Sequence, residues 1–279
     1  MSFLTPDKLY TVFIKTGEKK VKMPASHLII LGVLAGAYIG FAAHLATTIS
    51  TGAFEWYGAK KFLTGAVFSF GLMLVIIPGS ELWTGNNLMA IPLLERKITF
   101  SQILRNWFYV FLANFAGAVL LALIIAWGSG LLDGAVGATA IKIAYAKVAV
   151  TPENMNHNVA YFFRAIGCNW LVCLAVVMAA AASDVSGKIL AIFFPIMAFV
   201  ASGFEHSIAN MYFLSAGIFA KGYSSAVELS GLSTDALAQL NWVNIWSDNL
   251  IAVTLGNLTG GTLFVAIAYW FVNVRKADS

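Results

Sequence analysis

Pro78-Gly79-Ser80-Glu81 interrupts an apolar run from about residue 62 to 94, and Ser202-Gly203-Phe204-Glu205 interrupts another from about 187 to 220. Each run is more than 30 residues long, whereas about 20 apolar residues carry a helix across the hydrocarbon of a bilayer. Neither run is one straight helix. Each reads as a half-helix, an unwound stretch and a second half-helix. Irregular backbone at membrane depth is tolerated only where it is buried in protein or lines a cavity, so the two breaks mark a pore or a binding site.

Working outward, further apolar runs lie at about 27 to 49, 101 to 127, 159 to 182 and 248 to 272, giving six passages in an all-α membrane protein. The composition agrees. Of 279 residues, 59% are hydrophobic and 11% charged, against roughly 25% charged in soluble globular proteins. The expected organisation is a cytoplasmic amphipathic segment (1–26), a six-span domain (27–273) and a cytoplasmic tail (274–279). The first segment holds Lys8, Lys15, Lys19, Lys20 and Lys22 but no apolar core of a signal peptide. Its Tyr10, Phe13 and Ile14 suit either a plug at the pore mouth or an interfacial helix. With that segment inside, eleven basic residues fall on the cytoplasmic side and six on the other, which places both termini in the cytoplasm of an inner-membrane protein. The same bias accounts for the net charge of +4 without a nucleic-acid partner. Cys168 and Cys173, five residues apart on one helix, point about 140° apart and cannot bridge.

The breaks share a pattern. Gly79-x-Glu81-x4-Asn86 is matched by Gly203-x-Glu205-x4-Asn210, and Asn114-Phe115-Ala116-Gly117 in span 3 by Asn257-Leu258-Thr259-Gly260 in span 6. An odd number of spans per half forces opposite orientations, so the chain reads as two inverted three-helix repeats, about 27–130 and 155–273, with broken helices 2 and 5.

Within the second break, His206 is an ionisable residue in the middle of an apolar run, which by default is a candidate functional group. A neutral imidazole donates a hydrogen bond to an anion; a transiently protonated one offsets its charge or passes it a proton. Glu81 and Glu205 would each cost about 2 to 3 kcal/mol or more if charged and unpaired at this depth. Each precedes a half-helix whose first turn has free N–H groups, so both read as structural caps or loop organisers and not as permeation acids. Two opposed half-helix N-termini favour an anion at the centre without a fixed cation to trap it. His27, His44 and His157 lie in separate segments, and no HExxH, CxxC or phosphate-loop spacing occurs, so no metal, cofactor or enzymatic cluster is expected.

At the same places the chain resembles a known family. Gly79-Ser80-Glu81-Leu82-Trp83-Thr84-Gly85-Asn86, Gly167-Cys168-Asn169-Trp170-Leu171-Val172-Cys173, Gly203-Phe204-Glu205-His206-Ser207-Ile208-Ala209-Asn210-Met211 and Gly256-Asn257-Leu258-Thr259-Gly260-Gly261 are similar to the signature segments of the formate/nitrite transporters. The resemblance implies an aquaporin-like protomer with its own pore, assembled as a homopentamer, and substrates among formate, nitrite and hydrosulfide. Trp83, where formate members tend to carry Phe, makes the chain look most like the hydrosulfide branch. The family pattern also implies Thr84 as the partner of His206, and Asn169 as a span 4 pore residue. It implies apolar constrictions at Leu72 with Phe199 on one side of the histidine and at Leu82 with Trp83 or Phe68 on the other. Lys147 matches the family's cationic vestibule residue, although Pro152-Glu153-Asn154 looks inserted nearby.

The leading expectation is a channel for small monovalent anions, with hydrosulfide first. The alternatives are an obligately proton-coupled formate or nitrite transporter, in which His206 carries the proton, and a neutral-solute pore. The last lacks the paired Asn-Pro-Ala breaks of water and glycerol facilitators.

Overall fold

The computed structural model describes residues 3–149 and 155–275; the inserted-looking 152–154 and the last tail residues lie outside them. In chain order the helices are α1 (Pro6–Val21), α2 (Ala25–Ile49), α3 (Tyr57–Ile76), α4 (a 3-10 turn, Gly85–Met89, leading into Ala90–Leu94), α5 (Phe100–Gly128), α6 (Ala135–Val148), α7 (His157–Ala181), α8 (Val185–Ala201), α9 (Ser207–Ala220), α10 (Ser224–Ser230), α11 (Thr234–Gln239) and α12 (Trp246–Asn273). No strand occurs among the described residues. Helices α2, α3, α5, α7 and α12 are long and apolar enough to cross a bilayer by themselves. The fifth passage is divided into α8 and α9, of 17 and 14 residues.

Both expected breaks are present. Between α3 and α4 the chain is unwound from Ile77 to Thr84, and between α8 and α9 from Ser202 to His206. Gly79 (φ 90°) and Gly203 (φ 78°) turn the backbone out of each first half-helix. This is a left-handed conformation that residues with a Cβ rarely adopt. A side chain at Gly79 would meet open space, so backbone angle and not crowding selects the glycine.

The halves mirror each other in packing. Helix α2 lies closely on α5, and α7 on α12, with the first half-helices α3 and α8 side by side between them. A Cβ on Gly117 would stand 2.0 Å from the Val33 carbonyl oxygen, and one on Gly260 2.3 Å from that of Ile166. The repeated Asn-x-x-Gly motifs therefore put glycine where two backbones touch.

Each repeat is one helix longer than the apolar runs indicate. Helix α1 precedes α2 and α6 precedes α7, and each carries a lysine as its penultimate residue, Lys20 and Lys147. Helix α6, like the short α10 and α11, lies where the sequence suggested only connecting loop. At 14 residues α6 is too short to span, so hydropathy passes over it. Helix α1 belongs structurally to the bundle. Its Leu9, Tyr10 and Phe13 are buried with Leu88 and Ile91 of α4, and Tyr10 stacks on Tyr269 of α12 at 5.5 Å between ring centroids.

Candidate functional site

The two breaks are tied to the same kind of frame. In the first, the Asn114 amide donates to the Gly32 and Glu81 carbonyls (2.8 and 2.9 Å) and accepts from the Trp83 N–H (2.9 Å). In the second, the Asn257 amide donates to the Ala165 and Glu205 carbonyls (both 2.9 Å) and accepts from the Ser207 N–H (2.8 Å). Backbone groups that unwinding frees from a helix ladder are thus satisfied by an amide from the neighbouring span, as a buried break requires.

The acidic residues are held in matching clusters. Lys20 donates to Glu81 and to Asn86 (both 2.7 Å), and the Asn86 amide donates to Glu81 and Asn106 (both 2.8 Å). Lys147 donates to both Glu205 oxygens (3.0 and 2.7 Å), and the Asn210 amide donates to Glu205 (2.6 Å) and Asn249 (2.8 Å). Glu81 and Glu205 are 4% and 6% exposed, so ammonium and amide donors compensate the desolvation of each charge. Of the two expected roles, caps or loop organisers, these contacts are those of loop organisers. Neither accepts from a backbone N–H among the described residues; His206 caps α9 by accepting from the Ala209 N–H, and Thr84 stands at the start of α4 with no capping hydrogen bond from its side chain. The oxygens of Glu81 and Glu205 are engaged instead by lysine and asparagine side chains.

Thr84 and His206 meet at the centre. The Ala209 N–H donates to His206 Nδ1 (3.0 Å), so that nitrogen carries no proton and the ring is the Nε2–H tautomer. Nε2 lies 3.1 Å from Thr84 Oγ1, to which it donates. The Thr84 hydroxyl proton is thereby left free to point at a third group. Both residues are buried, at 0% and 3% exposed, and Phe199 stacks on the imidazole at 5.9 Å and 24°.

Two cavities approach this pair from opposite faces. One, of about 390 Å³, is lined by Lys20, Glu81, Asn86, Leu72, Leu82 and the Phe13 side of α1. The other, of about 340 Å³, is lined by Lys147, Glu205, Asn210, His206, Phe68 and Phe199. The partition between them is built of apolar side chains and the Thr84–His206 pair. Such a constriction excludes hydrated ions and yields only to a solute that trades its water for the few donors present.

Comparison with known proteins agrees with this geometry. The sequence model described as formate/nitrite transporter matches residues 7–271. The chain belongs to the formate/nitrite transporter family. It is 39% identical to a probable formate transporter of Methanothermobacter thermautotrophicus, over 99% of both chains. Among solved structures it is similar to an FNT family ion channel (TM-score 0.81, 30% identity, 95% of this chain and 98% of that one). It is also similar to a structure described as a pentameric formate channel with formate bound (TM-score 0.78, 35% identity, 90% and 98%). As a formate/nitrite transporter it is an integral membrane protein for anions and not an enzyme.

Within this family frame the structure regroups the expected site residues. Phe68 lies with Phe199 on the Lys147 face, and Leu72 lies with Leu82 on the Lys20 face, because Leu72 is one helical turn farther along α3. Trp83 lines neither cavity; its ring packs edge-on against Trp107 and Phe111, 6.3 and 5.4 Å between centroids. Asn169 braces the centre from behind, its amide reaching the Thr84 carbonyl (3.3 Å), Asn87 (2.7 Å) and the Asn257 carbonyl (2.7 Å). Lys147 does line its cavity, but its charge is matched by Glu205. Sequence reasoning missed Lys20, Asn106 and Asn249 as members of the clusters. Asn106 and Asn249 each precede the framing asparagine of their span by eight residues, a repeat signal that was available.

Proposed function

We propose that each protomer conducts small monovalent anions past the Thr84–His206 pair, with formate as the leading substrate, in a homopentamer in the cell's inner membrane. The observation that carries this reading is that two cavities, one lined by His206 and the other by Leu82 and Gly85 on either side of Thr84, approach a single Thr84–His206 pair in which the threonine hydroxyl proton is left free. Two of the three relatives named above are described as a probable formate transporter and a formate channel, the latter as a pentamer. The distribution of basic residues supports the Lys20 face and both termini as cytoplasmic.

An anion in either cavity lies among cations, Lys20 with Lys19 and Lys188 on one face and Lys147 with Lys61 and Arg164 on the other, of which Lys20 and Lys147 are paired with a glutamate, so positive charge draws it in while the partition itself holds no Lys or Arg to trap it. In the partition it loses water and gains a hydrogen bond from the Thr84 hydroxyl, which the imidazole N–H orients and polarises by donating to its oxygen, while the opposed N-termini of α4 and α9 contribute positive potential. His206 acts here as a neutral donor: protonating Nδ1 would break its bond from Ala209 and place a cation against that N–H. This arrangement favours a channel over an obligate proton carrier centred on His206.

Hydrosulfide is the second reading. The residue that favours it, Trp83, stands against Trp107 and Phe111 and away from both cavities, so formate leads. Proteoliposome flux of formate, hydrosulfide and nitrite at pH 5 and pH 8, with proton uptake recorded in parallel, tests the assignment. Formate flux without a fixed proton stoichiometry is expected, and His206→Phe is expected to change anion selectivity or pH dependence while the oligomer stays assembled. Hydrosulfide flux with none for formate overturns the substrate. A His206→Phe protein with unchanged selectivity and an unchanged profile from pH 5 to 8 overturns the role of the imidazole.

A further inference from the structure

The cavity on the Lys147 face is not isolated. It shares Ser50, Lys61, Thr64, Ile143 and Ala146 with an adjoining chamber of about 710 Å³, whose wall also carries Lys60 and Lys142. The charges in this chamber differ from those elsewhere in the site. Each cavity flanking the partition has a buried glutamate in its wall, paired with Lys20 or Lys147 beside cations that form no ion pair (Lys19 and Lys188 in one, Arg164 in the other), whereas no carboxylate lines the chamber and its Lys60, Lys61 and Lys142 form no ion pair among the described residues. Glu55, Asp133 and Glu228, the acids nearest to its lining residues in sequence, also form none of the ion pairs. Two of the ammonium groups are steadied by rings instead: Lys60 lies 5.6 Å from the Phe54 centroid and Lys61 5.6 Å from that of Tyr57. Thr51 and Thr139, hydrogen-bonded to each other at 3.1 Å, add hydroxyls to the wall.

Three uncompensated ammonium groups and several hydroxyls around one chamber exceed what an ion of a single charge and a few atoms uses. They match a group with two or more negative charges and several acceptor oxygens. We propose that this chamber is a binding site for a multivalent oxyanion of the phosphate or sulfate class, free or borne on a lipid headgroup, and that its occupancy slows access of the permeant anion to His206. Lys61 is the physical link, since it stands in the wall of both spaces. The effect on flux rests on the functional reading above; the binding does not.

Calorimetric titration of the assembled protein with inorganic phosphate separates the two. In phosphatidylcholine nanodiscs binding at about 1 mM is expected. K60Q/K142Q, which alters the chamber but neither cavity flanking the partition, is expected to weaken it about tenfold or more. Formate flux of that variant without phosphate should stay within about twofold of the parent, and phosphate on the Lys147 face should slow the parent and spare the variant. K142Q alone serves if the double variant fails to assemble, with a smaller loss of the same sign. Phosphate binding that disappears in nanodiscs containing phosphatidylglycerol identifies the lipid headgroup as occupant; binding in both lipids identifies the free oxyanion. Equal phosphate affinity in parent and variant overturns the site, and binding that leaves flux unchanged overturns its control of access. Absence of formate flux in the parent would sink the functional reading while the titration still reports on the chamber.

Discussion

The first break (77–84) and the second (202–206) are built from the same parts and finished differently. Each has a positive-φ glycine, a glutamate paired with a lysine from a short preceding helix, an asparagine five residues on, and a framing asparagine from the third span of its repeat. Yet the first break is eight residues long and leads into a short 3-10 and α segment with Pro92 inside it, whereas the second is five residues long and leads into the regular 14-residue α9. In the register that aligns Glu81 with Glu205, His206 falls opposite Leu82 and Thr84 opposite Ile208. The central pair is therefore not a repeated feature. The symmetric frame holds the two half-helix ends at one place, and the unequal unwinding decides which residue stands at each end. Symmetry supplies support, and departure from it supplies chemistry.

The largest effects should come from the shared frame. Asn114→Leu and Asn257→Leu each orphan two carbonyls and an N–H in the protein interior, at about 1 to 3 kcal/mol per group. Both should lose most of the assembled oligomer, read by size exclusion and thermal unfolding. If one is tolerated, the two frames are not equivalent. Next, Lys20→Met and Lys147→Met each leave a buried carboxylate unpaired, at about 3 to 5 kcal/mol. Lower melting temperatures of similar size are expected, and a loss confined to Lys147→Met would show α1 to be an accessory and not the counterpart of α6. The smallest effect belongs to the asymmetric centre. Thr84→Val keeps shape and removes a hydroxyl, so stability should hold while formate flux falls about five- to tenfold, the equivalent of about 1 kcal/mol. Unchanged flux would leave His206 as the sole donor and dissolve the pair.

Much of this was legible in the chain. The breaks at Gly79 and Gly203 follow from run length against bilayer thickness, and the inverted repeat from matched motifs at an odd number of spans. His206 declared itself because an ionisable group in an apolar run is costly without a purpose. Helix α6 and the partnership of Lys20 with Glu81 were not legible, because short amphipathic helices have no length criterion and the partners are 61 residues apart. Phe68 and Leu72 could not be assigned to faces of the partition, since a one-turn difference matters only once α3 is set against α8.

By itself, then, the sequence determined where the backbone must leave the helix and which charges must find partners, since hydrocarbon forbids unsatisfied polar groups wherever they fall. Only the tertiary structure decided which partner each one found, and that Thr84 and His206 face one another. That outcome depends on where two helices end in space, and spacing along a chain does not measure it.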